Sequence, residues 1–156
     1  MKIKPTFLKV TFLALVVNII TSVLFNIFSP ETIQPIEDNS TLEEVLRTVG
    51  TVLFTPAIET LLFQVLIMEL CYKIKKSDKL AIIVCAVLFS LAHFQAPKAG
   101  TSLYILAVLP MGLLLSWYYS YLRKKDKIVG FLLVSGVHAV VNCVAVILGF
   151  LARYIE

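Results

Sequence analysis

Apolar residues fill this chain in long blocks, separated by short polar or charged stretches, and each block has the length of a helix. The first runs from about Phe7 to Phe28, the second from Val49 to Tyr72 and the third from Leu80 to Gln95. The fourth runs from about Thr101 to Leu122 and the fifth from Ile128 to Ala152. About 20 apolar residues cross the ~30 Å hydrocarbon core of a bilayer. The pattern therefore predicts an all-α polytopic membrane protein with five transmembrane helices. Lys2, Lys4 and Lys9 beside the first block resemble the start of a secretory signal. The block is too long for one and no small-residue cleavage site follows it, so it is read as a retained span.

The segment from Ser29 to about Thr48 is polar and acidic, with Pro30, Pro35 and the run Glu37-Asp38-Asn39. Ser40 with Glu43, and Thr41 with Glu44, have the spacing of capping boxes. Leu42, Val45, Leu46 and Val49 then recur at helical intervals, which predicts a short amphipathic helix at the membrane interface leading into the second span. Two regions follow. Residues 1–48 hold the first helix and an acidic extracytoplasmic loop, and residues 49–156 hold a four-helix core.

Composition strengthens the membrane reading: of 156 residues, 59% are hydrophobic and 15% charged, with a mean hydropathy of +0.91. A soluble domain carries nearer a quarter charged residues. The net charge of +4 does not imply a nucleic-acid partner. Its lysines and arginines fall mostly in short loops beside the spans, as topology signals do. They mark the N-terminus and the second and fourth loops, which predicts an N-terminus inside and a C-terminus outside. Trp117, Tyr118, Tyr119 and Tyr121 are expected to form an aromatic belt at the inner end of the fourth span. Cys71, Cys85 and Cys143 lack metal-type spacing and are read as packing residues.

Against this apolar background Glu59, His93 and His138 stand out, each on a different span. Ionisable groups inside a bilayer are costly and usually face a protein interior or a wet cavity. Their depths agree. Glu59 lies 14 residues before Lys73 and His93 lies 14 after Lys79, both roughly 21 Å above the inner boundary at 1.5 Å per residue. His138 is 11 residues past Lys127, at roughly 16 Å, and Asn142 sits one turn further out. One carboxylate and two imidazoles at one depth can form an acid/base site or hold a catalytic zinc. Ser135, Gly136 and Ala139 beside His138 would admit another helix closely. Pro56, one turn before Glu59, frees a backbone carbonyl that some other group must satisfy. Glu69 is expected to pair with Lys73 at i+4, and Asn18, Thr21 and Asn26 to hydrogen-bond between helices.

These residues fall into three motifs. Pro56-Ala57-Ile58-Glu59-Thr60-Leu61-Leu62-Phe63-Gln64 resembles the EExxxR motif of the CPBP family of CAAX proteases and bacteriocin-processing (Abi) enzymes. Phe89-Ser90-Leu91-Ala92-His93 is similar to its FxxxH motif, and His138-Ala139-Val140-Val141-Asn142 to its HxxxN motif. The resemblance covers about Val49 to Ala152. It implies an intramembrane endopeptidase in which Glu59 and His93 activate a water that attacks a peptide bond. His138 and Asn142 would stabilise the oxyanion, with Phe89 packed beneath the site. Thr60 and Gln64 stand where the family has a second glutamate and an arginine, and a Thr–Gln hydrogen bond is expected to replace that ion pair. A metal-free mechanism is expected, because no HExxH-type pair occurs; a zinc, if used, would sit on Glu59, His93 and His138. The substrate would be a small peptide or a membrane protein, in a bacterial plasma membrane. The alternative is a catalytically silent member of the same fold, acting in bacteriocin self-immunity or binding a sensor kinase or secretion partner.

Overall fold

The structure, a computed structural model, describes residues 5–28, 41–75, 77–93 and 102–155. Every regular element among these residues is helical. Helix α1 spans Phe7–Phe28. A continuous rod follows, made of α2 (Thr41–Val49), a π-helical segment π1 (Gly50–Phe54), α3 (Thr55–Glu59), a second π segment π2 (Thr60–Ile67) and α4 (Met68–Lys75). Three helices complete the described chain: α5 (Asp78–Ala92), α6 (Ser102–Leu122) and α7 (Lys127–Ile155).

Four of these stretches are long and apolar enough to cross a membrane: Phe7–Phe25, Val45–Lys75, Tyr104–Leu122 and Lys127–Leu151. The third predicted span differs. Helix α5 has 15 residues, about 22 Å of length, and His93 is its C-cap rather than an interior residue. Its expected end at Gln95, the loop at Lys98, the acidic segment from Ser29 to Ser40, Lys76 and the N-terminal Lys2 and Lys4 lie outside the described residues. So do the side chains of Asn26, Thr41 and Glu44. Helix α2 forms as its periodicity predicts and runs unbroken into π1, with Leu42, Val45, Leu46 and Val49 exposed along it.

The π segments explain how the rod keeps one face inward. Pro56, Thr60, Gln64 and Met68, four residues apart, are all buried. In a regular α-helix four residues overshoot a full turn by about 40°, so three such steps would carry the stripe about 120° around the helix. The wider π turns, bonded five residues back rather than four, take up that drift. Pro56 fits the same register. Thr55 N–H donates to Gly50 C=O, so the next bond in the series would run from residue 56 to Thr51 C=O. Proline has no N–H to make it.

The core is formed by Met68, Phe89, Leu115, Tyr118, Tyr119, Val134 and Val137, all buried. Helices α5 and α6 approach closely at Gly112, where an added Cβ would lie 3.0 Å from Phe89 Cδ1 and 3.1 Å from the backbone of Ala86. Helix α1 packs on α6 and α7. Its Phe7 ring lies over Gly136, 3.3 Å from where a Cβ would stand, the close approach that the small residues of α7 predict. The expected aromatic belt is only partly one. Successive helical residues point about 100° apart, so Tyr118 and Tyr119 face the core while Trp117 is exposed.

One end of the bundle carries a charge cluster. Glu69 does not pair with Lys73 as expected. It accepts hydrogen bonds from Arg123 Nε at 2.6 Å and Lys127 Nζ at 2.7 Å. Arg123 Nη1 also reaches Asp78 at 3.3 Å, and its guanidinium stacks 4.3 Å from the centre of the Tyr72 ring. Lys124 closes the group onto Asp78. The reason is physical. A planar guanidinium that is 7% exposed and fixed by a ring and a second carboxylate offers Glu69 a stronger charge-assisted bond than a mobile surface lysine. The Glu69 hydrogen bond also raises the Arg123 pKa above its ordinary value. Arg123→Ala is expected to lower stability by about 2 kcal/mol, read as thermal unfolding in detergent. Arg123→Lys should restore only part of it, since a point charge cannot address both carboxylates as a fork does.

Candidate active site

The rod, α5 and α7 each deliver one polar residue to a common point. Glu59 ends α3, where the buried stripe turns inward beside Thr60. His93 caps α5, and His138 lies in the middle of α7. His93 Nε2 is 3.7 Å from Glu59 Oε1, and His138 Nε2 is 3.6 Å from Glu59 Oε2. The carboxylate thus lies between two imidazoles, one to each oxygen. Both separations exceed a direct hydrogen bond. His138 is 6% exposed, while Glu59 and His93 are each 21% exposed. The site is half-buried and reachable.

The surroundings distinguish the two histidines. His93 Nδ1 lies 2.7 Å from Phe89 C=O. A carbonyl only accepts, so Nδ1 carries a proton, and Nε2 is the atom turned toward Glu59. His138 Nδ1 is buried with no hydrogen-bond partner among the described residues. A buried N–H without an acceptor is the costlier orphan, so the proton of His138 resides on Nε2. The two imidazoles therefore face one carboxylate through Nε2 but are held differently, His93 by a backbone carbonyl at Nδ1 and His138 by none among the described residues. Phe89 holds both. Its ring centre is 4.7 Å from that of His93 and 5.6 Å from that of His138, with Phe63 edge-on behind it at 5.7 Å.

Asn142, one turn beyond His138, donates from Nδ2 to Thr51 C=O at 3.0 Å. That is the carbonyl which Pro56 leaves without a partner in the π register. The asparagine closes the gap the proline opens, and the second N–H of its amide remains for another acceptor. Asn142→Ala is expected to cost about 1 kcal/mol of stability. Pro56→Ala, which can supply the missing N–H, should recover much of it in a double-mutant cycle of unfolding free energies. Strict additivity would show that the two residues are not coupled.

Thr60 and Gln64 do not form the expected hydrogen bond. Both side chains point straight into the bundle rather than along the helix toward each other. Thr60 Oγ1 and both amide atoms of Gln64 are buried without a hydrogen-bond partner among the described residues.

Glu59, His93 and His138 are the right kinds of ligand for zinc. Among the described residues no group of three His, Cys, Asp or Glu is placed to hold a metal ion. Metal ligation through His138 Nε2 would also move its proton to Nδ1, and ligating histidines normally donate that proton to an outer partner. None is present there among the described residues.

A cavity of ≈ 270 Å³ opens beside the histidines. His93, His138 and Asn142 line one side of it, and Asn18, Ser22 and Phe25 of α1 line another. Glu59 is not among the residues that line this cavity. Sequence reasoning missed the role of α1. Thr21 turns its hydroxyl onto its own helix, to Val17 C=O at 2.9 Å, and so does not bond between helices as expected. Asn18 faces the cavity. The signal available was the polar recurrence Asn18, Ser22 at i,i+4 on an otherwise apolar span.

Residues 41–144, two thirds of the chain, match the family described as Type II CAAX prenyl endopeptidase Rce1-like. No curated protein and no solved structure matches the chain. The helical membrane-type architecture and the family match agree with the resemblance carried by the three motifs, and the chain belongs to the Type II CAAX prenyl endopeptidase Rce1-like family.

Proposed function

We propose that this protein is an intramembrane endopeptidase in which Glu59 and His93 activate a water held between them. The observation that carries the reading is the placement of the Glu59 carboxylate between His93 Nε2 and His138 Nε2, at 3.7 and 3.6 Å. The water oxygen bonds to the scissile carbonyl carbon as its proton passes to Glu59. The carbonyl electrons move onto oxygen, where His138 Nε2–H and the second N–H of Asn142 donate to the developing charge. The C–N bond then breaks, and the proton on Glu59 passes to the leaving amine. No metal takes part in this scheme. The four-helix segment 49–156 is the proteolytic core, and Pro56, Phe89, Thr60 and Gln64 support it.

In this reading the chain crosses the membrane five times, with the N-terminus inside, in a bacterial plasma membrane. The charge cluster supports the alternation. It joins α4, the start of α5 and the α6–α7 turn at one end of the bundle, so α5 must carry the chain back from that end toward the start of α6. The substrate is a small peptide or a membrane-anchored one.

The test is cleavage of a panel of prenylated and unmodified fluorogenic peptides by wild type, by Glu59→Gln and by wild type with a zinc chelator. Loss of cleavage in Glu59→Gln and indifference to chelator are the expected results. Cleavage that survives Glu59→Gln rules out the proposed base, and loss on chelation rules out the metal-free scheme. Thr60 and Gln64, which stand where the resemblance has a charged pair and lack hydrogen-bond partners among the described residues, favour a second reading: a silent family member serving immunity or a membrane partner. A host phenotype that persists in Glu59→Gln and His93→Ala would select it.

A further inference from the structure

The cavity beside the histidines is walled on one side by a helix that lies outside the family match. Helix α1 (Phe7–Phe28) precedes residue 41, where that match begins, yet its Asn18, Ser22 and Phe25 line the same cavity as His93, His138 and Asn142. Phe25 anchors the wall by edge contact with Tyr104 of α6 at 5.4 Å. Thr21 bonds its own backbone, which leaves the Asn18 carboxamide and the Ser22 hydroxyl as the hydrogen-bonding groups of this wall.

The chemistry restricts what enters. Inside an α-helix each C=O accepts from the N–H four residues on and is screened by the surrounding side chains. A scissile carbonyl must leave that arrangement to meet a water, so the cleaved stretch enters the ≈ 270 Å³ cavity unwound. An unwound peptide within the bilayer exposes N–H and C=O groups that need partners. A carboxamide supplies a donor and an acceptor with the spacing of a peptide group, and a hydroxyl supplies either. Ser22 and Asn18 are one turn apart on the same face.

We propose that Asn18 and Ser22 form a backbone-binding subsite for an extended peptide segment, which makes α1 a determinant of which peptides this protein accepts. The proposal rests on the endopeptidase reading for its consequence, while the binding it describes can be measured without turnover.

The experiment uses the full chain in lipid nanodiscs and a short fluorescent peptide ending in Cys-aliphatic-aliphatic-Met, farnesylated or unmodified. Binding is read by anisotropy in the Glu59→Gln background, and kcat and KM are read with Glu59 intact. Asn18→Leu, close in volume and without hydrogen-bonding groups, is expected to weaken binding about tenfold and to raise KM similarly, with kcat within about twofold. Ser22→Ala should give a smaller loss, Asn18→Gln a partial rescue and Leu8→Ala, exposed on the same helix, no change. Unchanged Kd in both Asn18→Leu and Ser22→Ala overturns the subsite, as does a fall in kcat with KM unmoved or the absence of saturable binding by the Glu59→Gln chain. Binding that depends on Asn18 with no cleavage by wild type sinks the endopeptidase reading and leaves the subsite standing.

Discussion

Glu59→Gln is expected to lower peptide cleavage by about 10²–10⁴-fold, the range in which a positioned general base contributes. The substitution keeps the volume and planarity of the side chain and removes only its ability to take a proton. Glu59 is 21% exposed and contacts two imidazoles rather than a fixed cation, so the neutral amide relieves a desolvated charge instead of leaving one unpaired. The variant should therefore fold as well as wild type, with an unfolding temperature equal or higher. That combination separates chemistry from structure. Turnover within about tenfold of wild type would sink the base assignment, and a matching loss of stability would show that Glu59 is structural. His93→Ala is the weaker test, because it also removes the hydrogen bond to Phe89 C=O and the ring contact with Phe89.

Gly112→Ala is expected to damage the site without touching it. The new methyl would stand 3.0 Å from Phe89 Cδ1 and 3.1 Å from Ala86 Cα and O. Backbone lies on one side of it, so the relief must come from the phenylalanine or from separation of α5 and α6. Overpacking of this kind costs about 1–3 kcal/mol. The larger consequence is positional. Phe89 carries both imidazoles on its ring, and a displacement of about 1 Å in reacting groups costs on the order of 10²-fold in rate. Thermal unfolding and turnover at a temperature where the variant is folded should both fall. Reduced stability with full turnover would show that the imidazoles are held by something other than Phe89.

The chemistry was more legible in the sequence than the architecture that supports it. Glu59, His93 and His138 are conspicuous because each interrupts an apolar block, and residue counts to the basic anchors suffice to set them at one depth. Spacing along a helix does not say which way a long side chain leans. Glu69 therefore looked paired with Lys73, although the better partner, Arg123, is 54 residues away. Pro56 announced that a carbonyl would need a partner. Only the π register identifies it as Thr51 C=O, and only the packing of α7 supplies Asn142. Thr60 and Gln64 fit an i,i+4 pair in sequence, but the inward turn of both side chains removes it. A polar residue on a first helix looked like a packing contact, because nothing local to Asn18 reveals the cavity that other helices build around it.

The two wide segments of the rod make winding, more than residue identity, the quantity on which the site depends. Each π turn holds residues that an α-helix would distribute over a longer path, and Glu59 sits between two of them. Rewound at full length as a regular α-helix, π2 would turn everything before it by about 80°, two four-residue steps of about 40° each, carrying the carboxylate away from both imidazoles. Most side chains of π2 that face outward, such as Leu61, Leu62 and Leu66, are interchangeable with other apolar residues. The lettering of that stretch is free to vary widely, while its wide turns stay locked to the chemistry.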